Sequence, residues 1–216
     1  DLLKLFITPG VPDPASTFVP SFLSLEEISA AVSEGARLGI PTAAHCIGGQ
    51  GLKDCIDGGV DVIEHMYMAS EQDVERLAAS RCVVDLTSGI FLDPSREEFL
   101  SPANALKVRL NRSRVRENVA RIIKARLPFV LGTDAYHGFL YREVGYAVEL
   151  GADPVTAIQG VTSRAARVCR LEDRIGKLEN GMEADIIAVE GNPLEDVSRL
   201  SQVGLVMKGG VVYRQP

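Results

Sequence analysis

No Cys-x-x-Cys pair occurs among the four cysteines, Cys46, Cys55, Cys82 and Cys169, and three of them sit inside apolar or helical patterns. Free cysteine in such a setting is a small hydrophobe, which points to reduced structural thiols and a cytoplasmic compartment. Lysine and arginine form no cluster beyond the scattered set in 107–126, and the net charge is -6 with a pI near 5.2. Such a balance gives little electrostatic reason to bind nucleic acid, so a small-molecule substrate is the expected partner. No apolar run reaches the roughly eighteen residues that span a bilayer, and no basic-then-apolar leader opens the chain, so a membrane role is not expected. There is no short-period repeat and no low-complexity tract, which disfavours solenoids and linkers.

What is present is enough apolar residue for a core: 46% of 216 residues are hydrophobic and 24% charged. One domain with a small addition fits that length. Short β-branched or apolar runs alternate with longer amphipathic stretches, the pattern of βα units in a parallel α/β sheet. The strands read as Leu2–Thr8, Pro41–His45, Val60–His65, Cys82–Leu86 and Leu127–Thr133. Ser24 with Glu27 forms the signature of a capping box for a helix ending at Gly39, and Ser70 reads as the cap of a helix over 71–80. Further helices are expected around Leu52–Gly58, up to about Arg126, over 138–150, and from Asp153-Pro154 to Val168. The loop 87–102 is long enough to suspect a function. From Gly176 the texture changes to short strands with glycine turns, Ala184–Val189, Gly204–Met207 and Val211–Tyr213. A complete eight-unit barrel needs about 250 residues, so five strands are too few for one.

Active-site residues of parallel barrels collect at the carboxyl ends of the strands. His45, His65 and Asp134 each stand where an apolar run stops. Neutral imidazole and carboxylate are ordinary ligands of catalytic zinc, and two histidines with an aspartate suit that role. Taken singly, either histidine also reads as a hydrogen-bonded core residue, and Asp134 as the cap of the helix after it. Lys4 interrupts an apolar strand, so it either snorkels from a barrel end or points into the lumen.

The run Ala44-His45 with Gly48-Gly49, the stretch Gly58–His65 (Gly-Gly-Val-Asp-Val-Ile-Glu-His) and Leu131–Asp134 (Leu-Gly-Thr-Asp) resemble the amidohydrolase superfamily, particularly its imidazolonepropionase-like and prolidase-like members. Thr162–Ala166, Ile175–Ile187 and Gly191–Asp196 are similar to that family's last helix and β appendage. The resemblance implies a partial TIM-type (β/α)8 barrel, strands four to eight, over residues 1–172, followed by an incomplete β-sandwich-like appendage over 173–216. It implies that Lys4, in carboxylated form, bridges two metals, that His45 and His65 bind one and Asp134 the other, and that the metals are zinc, one or two. It further implies hydrolysis of an amide or cyclic amide, or of a dipeptide, by a metal-activated water, with Asp134 as the catalytic proton carrier. Tyr136 and His137, in the loop expected after strand eight, read either as substrate contacts or, for His137, as a solvent-exposed loop histidine.

The family's first strand carries a His-x-His pair, and the only other histidine here is His137. On this reading the chain starts at strand four. The alternative function is then a catalytically incomplete fragment that binds metal weakly. An incomplete barrel also leaves strand edges and lumen residues bare, which predicts a homo-oligomer or association with the missing amino-terminal half. A one-metal deaminase is a rival that the Lys4 strand argues against.

Overall fold

A computed structural model of the chain describes residues 2–134 and 137–215, with His137 described by its backbone alone. It divides into two compact units, Asp1–Phe129 and Val130–Pro216.

The first unit alternates strand and helix: β1 (Leu3–Phe6), α1 (Leu25–Leu38), β2 (Thr42–Cys46), α2 (Gly49–Gly58), β3 (Val62–His65), α3 (Glu71–Ala78) and β4 (Val83–Leu86). Local chemistry explains where the helices start. Ser24 accepts from the Glu27 N–H and the Glu27 carboxylate accepts from the Ser24 N–H, closing the capping box that the sequence predicts for α1. Ser70 and Asp73 repeat the device at α3. Gly39 ends α1 at φ 70, a left-handed conformation that glycine adopts without penalty.

Two elements depart from expectation. Helix α2 begins at Gly49, earlier than Leu52, because Gly48 and Gly49 do not merely turn the chain. They let its backbone approach Met68 and Val19 too closely for any side chain. The loop 87–102 is not open chain either. It holds the single helical turn α4 (Gly89–Leu92) and a 3-10 segment (Pro94–Phe99) before α5 (Pro102–Lys124). Phe91 and Leu92 are buried there, so burial of apolar side chains is what structures the segment.

The sheet has strand order β1-β2-β3-β4-β5, with β5 at Phe129–Leu131. β1 to β4 are parallel throughout their pairings. Sequential neighbours with no reversal of order are what a singly wound barrel wall requires, whereas a doubly wound sheet reverses its order at a switch point. Alternation sorts the side chains. Leu5, Ala44, Ile63 and Val84 are laterally aligned on one face, the last three at 1% exposure or less. The opposite face carries Lys4 and, one register row further on, Phe6, His45, Glu64 and Asp85.

In the second unit α6 (Leu140–Glu149) is followed by α7 (Pro154–Gly160), capped by Asp153 as the sequence predicts. The single helix expected to run on to Val168 is broken, and α8 (Ser163–Val168) starts afresh. Gly160 and the β-branched pair Val161-Thr162 are poor helix formers, and Thr162 adopts φ -129, ψ -102. The tail is a three-stranded antiparallel sheet of β6 (Ile186–Val189), β7 (Val203–Lys208) and β8 (Val211–Arg214). Gly209 and Gly210 turn β7 into β8 with φ 54 and 81, the positive pair of a type I′ hairpin. Among the described residues no helix is long and apolar enough to cross a membrane.

Candidate active site

His45 and His65 come from adjacent strands, yet alternation alone would not bring their rings together. His45 pairs laterally with Glu64, while His65 is opposite Cys46 and is one residue out of step with the His45 face. What rescues the meeting is backbone conformation. His65 has φ 79 and Met66 φ 53, so the chain leaves β3 through two consecutive left-handed residues that are not glycine. This region costs an L-residue roughly 1–2 kcal/mol, and such conformations concentrate where function requires them. The His65 ring then lies edge-on to His45, 4.5 Å between centroids.

Each ring is held from behind. His45 Nε2 is 3.2 Å from the Pro9 carbonyl oxygen, and the ring stacks on Phe6 at 4.1 Å. His65 Nδ1 is 2.7 Å from the Thr87 hydroxyl, and the Tyr67 hydroxyl donates to the Thr87 carbonyl at 3.0 Å. Burial, then the neighbouring His45 and the Lys4 charge, push the His65 pKa down to about 3 from an ordinary 6.5. The imidazole is therefore neutral at physiological pH, the form in which a histidine ligates metal. An unfolded chain takes a proton here below its ordinary pKa while the folded chain refuses it, so folded-state stability falls as pH drops from 6.5 towards 3.

Lys4 Nζ makes an ion pair with Glu64, whose carboxylate is also 3.8 Å from His65 Nε2. Of the two readings the sequence leaves for Lys4, the structure gives the sheet face shared with His45, with the side chain part-exposed. Lys4, His45 and His65 thus converge in the first unit. Asp134 belongs to the second unit, at φ 50 three residues after β5. It does not cap the next helix, since α6 starts at Leu140 with Phe139 at the cap position and no side-chain cap bond. His137 opens a 3-10 turn, but its side chain and all of Tyr136 lie outside the described residues. Among the described residues no group of three His, Cys, Asp or Glu side chains is gathered tightly enough to hold a metal ion.

Sequence reading missed Glu64 and Phe6 as parts of this site. A signal for Glu64 was there: a carboxylate inside Val-Asp-Val-Ile-Glu-His, two residues from Val62 and on its face, has no apolar reason to be in a strand. Thr87, at the head of the loop 87–102 whose length raises suspicion of a function, holds the His65 ring. Removing that hydroxyl as Thr87→Val should lower activity or metal affinity about tenfold or more with little loss of stability, measured by kinetics beside urea unfolding.

Residues 18–213 match the model of the amidohydrolase family. The chain is 33% identical over 212 residues to ochratoxinase of Aspergillus niger, covering 91% of this chain and 43% of that enzyme. It is 24% identical over 179 residues to imidazolonepropionase of Desulfotalea psychrophila, covering 78% of this chain and 38% of that one. A crystal structure of a Xaa-Pro dipeptidase with methionine bound in its active site superposes with a TM-score of 0.87 at 31% identity. That superposition covers 99% of this chain and 54% of the dipeptidase. The chain spans about half the length of the relatives it matches. The match takes in every strand of the tail sheet save the last residue of β8, and it contains His45, His65 and Asp134, so the chain belongs to the amidohydrolase family.

Proposed function

We propose that the chain forms part of a metal-dependent hydrolase that cleaves an amide or cyclic amide, dipeptides included. The observation that carries this is the pairing of two buried imidazoles from neighbouring strand ends, achieved through a left-handed His65 backbone. Similarity to a Xaa-Pro dipeptidase and to an imidazolonepropionase supports the class of bond. The reading as a catalytically incomplete fragment is not favoured, since the family match runs through the histidines and the aspartate.

The donor set suits a divalent metal such as zinc. His45 and His65 are neutral-imidazole donors in mutual contact, and a hydroxyl fixes the second nitrogen of His65 as outer partners of metal-ligating histidines do. His45 and His65 would hold one metal, and the family resemblance assigns Asp134 to the other and Lys4, in carboxylated form, to both. When bound, such a metal supplies Lewis-acid polarisation of a carbonyl and a lowered pKa for water. Carboxylation turns the Lys4 cation into an anion, so it must release the Glu64 carboxylate that it now holds. Asp134 accepts the proton of the attacking water and delivers it to the leaving nitrogen. Thr87 and Tyr67 keep the His65 ring turned towards His45.

The test is elemental analysis of the purified protein as wild type and as His45→Ala/His65→Ala, beside an assay on N-acylated amino acids and Xaa-Pro dipeptides. The expected result is about one or more zinc per chain in the wild type, lost in the double variant together with turnover. Amide hydrolysis that persists in the double variant, or a wild type that binds no divalent metal at micromolar concentration, overturns the proposal.

A further inference from the structure

Asparagine is a poor choice inside a helix, because its amide competes with the backbone for hydrogen bonds. Helix α5 nevertheless carries Asn111 and Asn118, seven residues apart and therefore on one face, with Arg114 and Arg121 in the same row. Each of the four directs its polar head to a loop residue. The Asn111 amide donates to the Pro12 carbonyl at 3.1 Å. Arg114 Nη1 lies 3.8 Å from the Met68 sulfur, Asn118 Nδ2 donates to the Tyr67 carbonyl at 2.8 Å, and Arg121 Nη1 donates to the Ala69 carbonyl at 3.3 Å. Three of the four thus hold consecutive residues of the segment by which the chain leaves β3.

That segment begins with the left-handed pair His65 and Met66. Residues other than glycine stay in such a conformation only where their surroundings over-determine it. Strand β2 and the residue after it supply half of the restraint: the Met66 N–H donates to the Cys46 carbonyl at 3.1 Å and the Met68 N–H to the Ile47 carbonyl at 2.6 Å. Helix α5 supplies the other half, through the carbonyls of Tyr67 and Ala69. Tyr67 stands between this grip and the ring, since its hydroxyl donates to the Thr87 carbonyl at 3.0 Å and lies 3.5 Å from His65 Nδ1. The direction of the Asn118 amide is also fixed. Its oxygen accepts from Arg121 Nη1 at 2.8 Å, so the guanidinium holds the oxygen and leaves the NH2 group for Tyr67.

We propose that Asn118 is a positioning residue for the histidine pair, which fixes the left-handed exit from β3 through the Tyr67 carbonyl while Arg121 sets the direction of its amide. The catalytic consequence rests on amide hydrolysis at the histidine pair. The proposal goes beyond that reading by assigning the geometry of the pair to a helix that gives no group to the reaction. Asn118→Asp is the discriminating variant. It keeps the shape and the Arg121 partner but turns an acceptor towards the Tyr67 carbonyl oxygen, and two acceptors at 2.8 Å repel.

The experiment compares wild type, Asn118→Asp, Arg121→Leu and Ser101→Ala. The last removes the hydroxyl that caps α5 by accepting from the Asn104 N–H, and so weakens the helix at its far end from Tyr67. The chain has three histidines, so ring signals of isotopically labelled histidine are readily resolved. The metal-free protein should show a nuclear Overhauser contact between the His45 and His65 rings, whose centroids are 4.5 Å apart. Urea midpoints and steady-state kinetics on N-acylated amino acids and Xaa-Pro dipeptides are measured beside it. Asn118→Asp should lose the ring contact and lower kcat about tenfold or more with KM little changed. Arg121→Leu should move both in the same direction by a smaller factor. Ser101→Ala should lower the urea midpoint yet keep the ring contact and kcat of the wild type. If the wild type cleaves no amide while Asn118→Asp loses the ring contact, the positioning role stands and the hydrolase reading fails. If amides are cleaved but the ring contact and kcat survive in both Asn118→Asp and Arg121→Leu, the proposal is overturned. It is overturned equally if Ser101→Ala loses them as fully as Asn118→Asp does. Should Asn118→Asp not fold, Arg121→Leu decides alone, and an unchanged ring contact and kcat there overturn the proposal.

Discussion

Replacing Gly48 by alanine should cost the protein about 4 kcal/mol, read as a lowered urea midpoint with unchanged slope, the sum of backbone strain and overpacking. Gly48 has φ 151 and ψ -161, in the corner of conformational space that is essentially glycine's alone. There is no room to relax either. An added Cβ would lie 2.8 Å from the Met68 Cβ and 2.9 Å from its carbonyl oxygen. The Met68 backbone cannot retreat, because its N–H donates to the Ile47 carbonyl at 2.6 Å, tying the exits of β2 and β3 together. The same crowding makes the effect functional as well as structural. Gly48 lies three residues after His45 and Met68 three residues after His65, so spreading the two segments pulls the rings apart. Gly39→Ala is the control. Its φ of 70 is also left-handed, but nothing lies within 4 Å of its Cβ position, so only the strain, about 1 kcal/mol, should appear. Equal losses at the two positions would show that close approach is not what Gly48 provides.

Strand and helix order was legible because the signals were local. Apolar runs of four to seven residues, the Ser24–Glu27 box and the Lys208-Gly209-Gly210 turn each report a structure made by the residues themselves. The positions of His45 and His65 at strand ends were legible for the same reason. How the rings meet was not, since alternation places His65 on the face of Ala44 and Ile63, opposite that of His45, and only the left-handed exit from β3 reverses that. Nor was the Lys4–Glu64 ion pair, which joins residues sixty positions apart and depends on the lateral register of three strands. The break between α7 and α8 was missed because apolar periodicity continues across it while Gly160 and Thr162 interrupt the backbone. Long-range tethers such as Asn111 to Pro12 are invisible for the reason that makes them useful: they connect segments whose own sequences carry no trace of each other.

Substituting His65 separates stability from chemistry in a way that a core histidine would not. Both His65→Ala and His65→Gly should lower kcat/KM at least about 100-fold, since each removes one of the paired imidazoles. The two should differ in stability. At φ 79 alanine keeps the strain that histidine bears, while glycine is released from it, so His65→Gly should unfold at higher urea than His65→Ala by about 1 kcal/mol. Elsewhere in strands the order is the reverse, because glycine gains more entropy on unfolding. Ile63→Ala and Ile63→Gly, two residues earlier in β3, supply that ordinary order for comparison. The pH dependence should change as well. Either His65 variant removes the group that the folded chain keeps unprotonated, so stability lost by wild type as pH falls from 6.5 towards 3 should be smaller in both. If glycine at position 65 proves no better than alanine, the left-handed exit from β3 does not strain the backbone. If activity survives in either variant, the imidazole pair is not the catalytic centre. The expected pattern, more stable with glycine yet inactive, is that of a residue kept in a costly conformation for what its ring does.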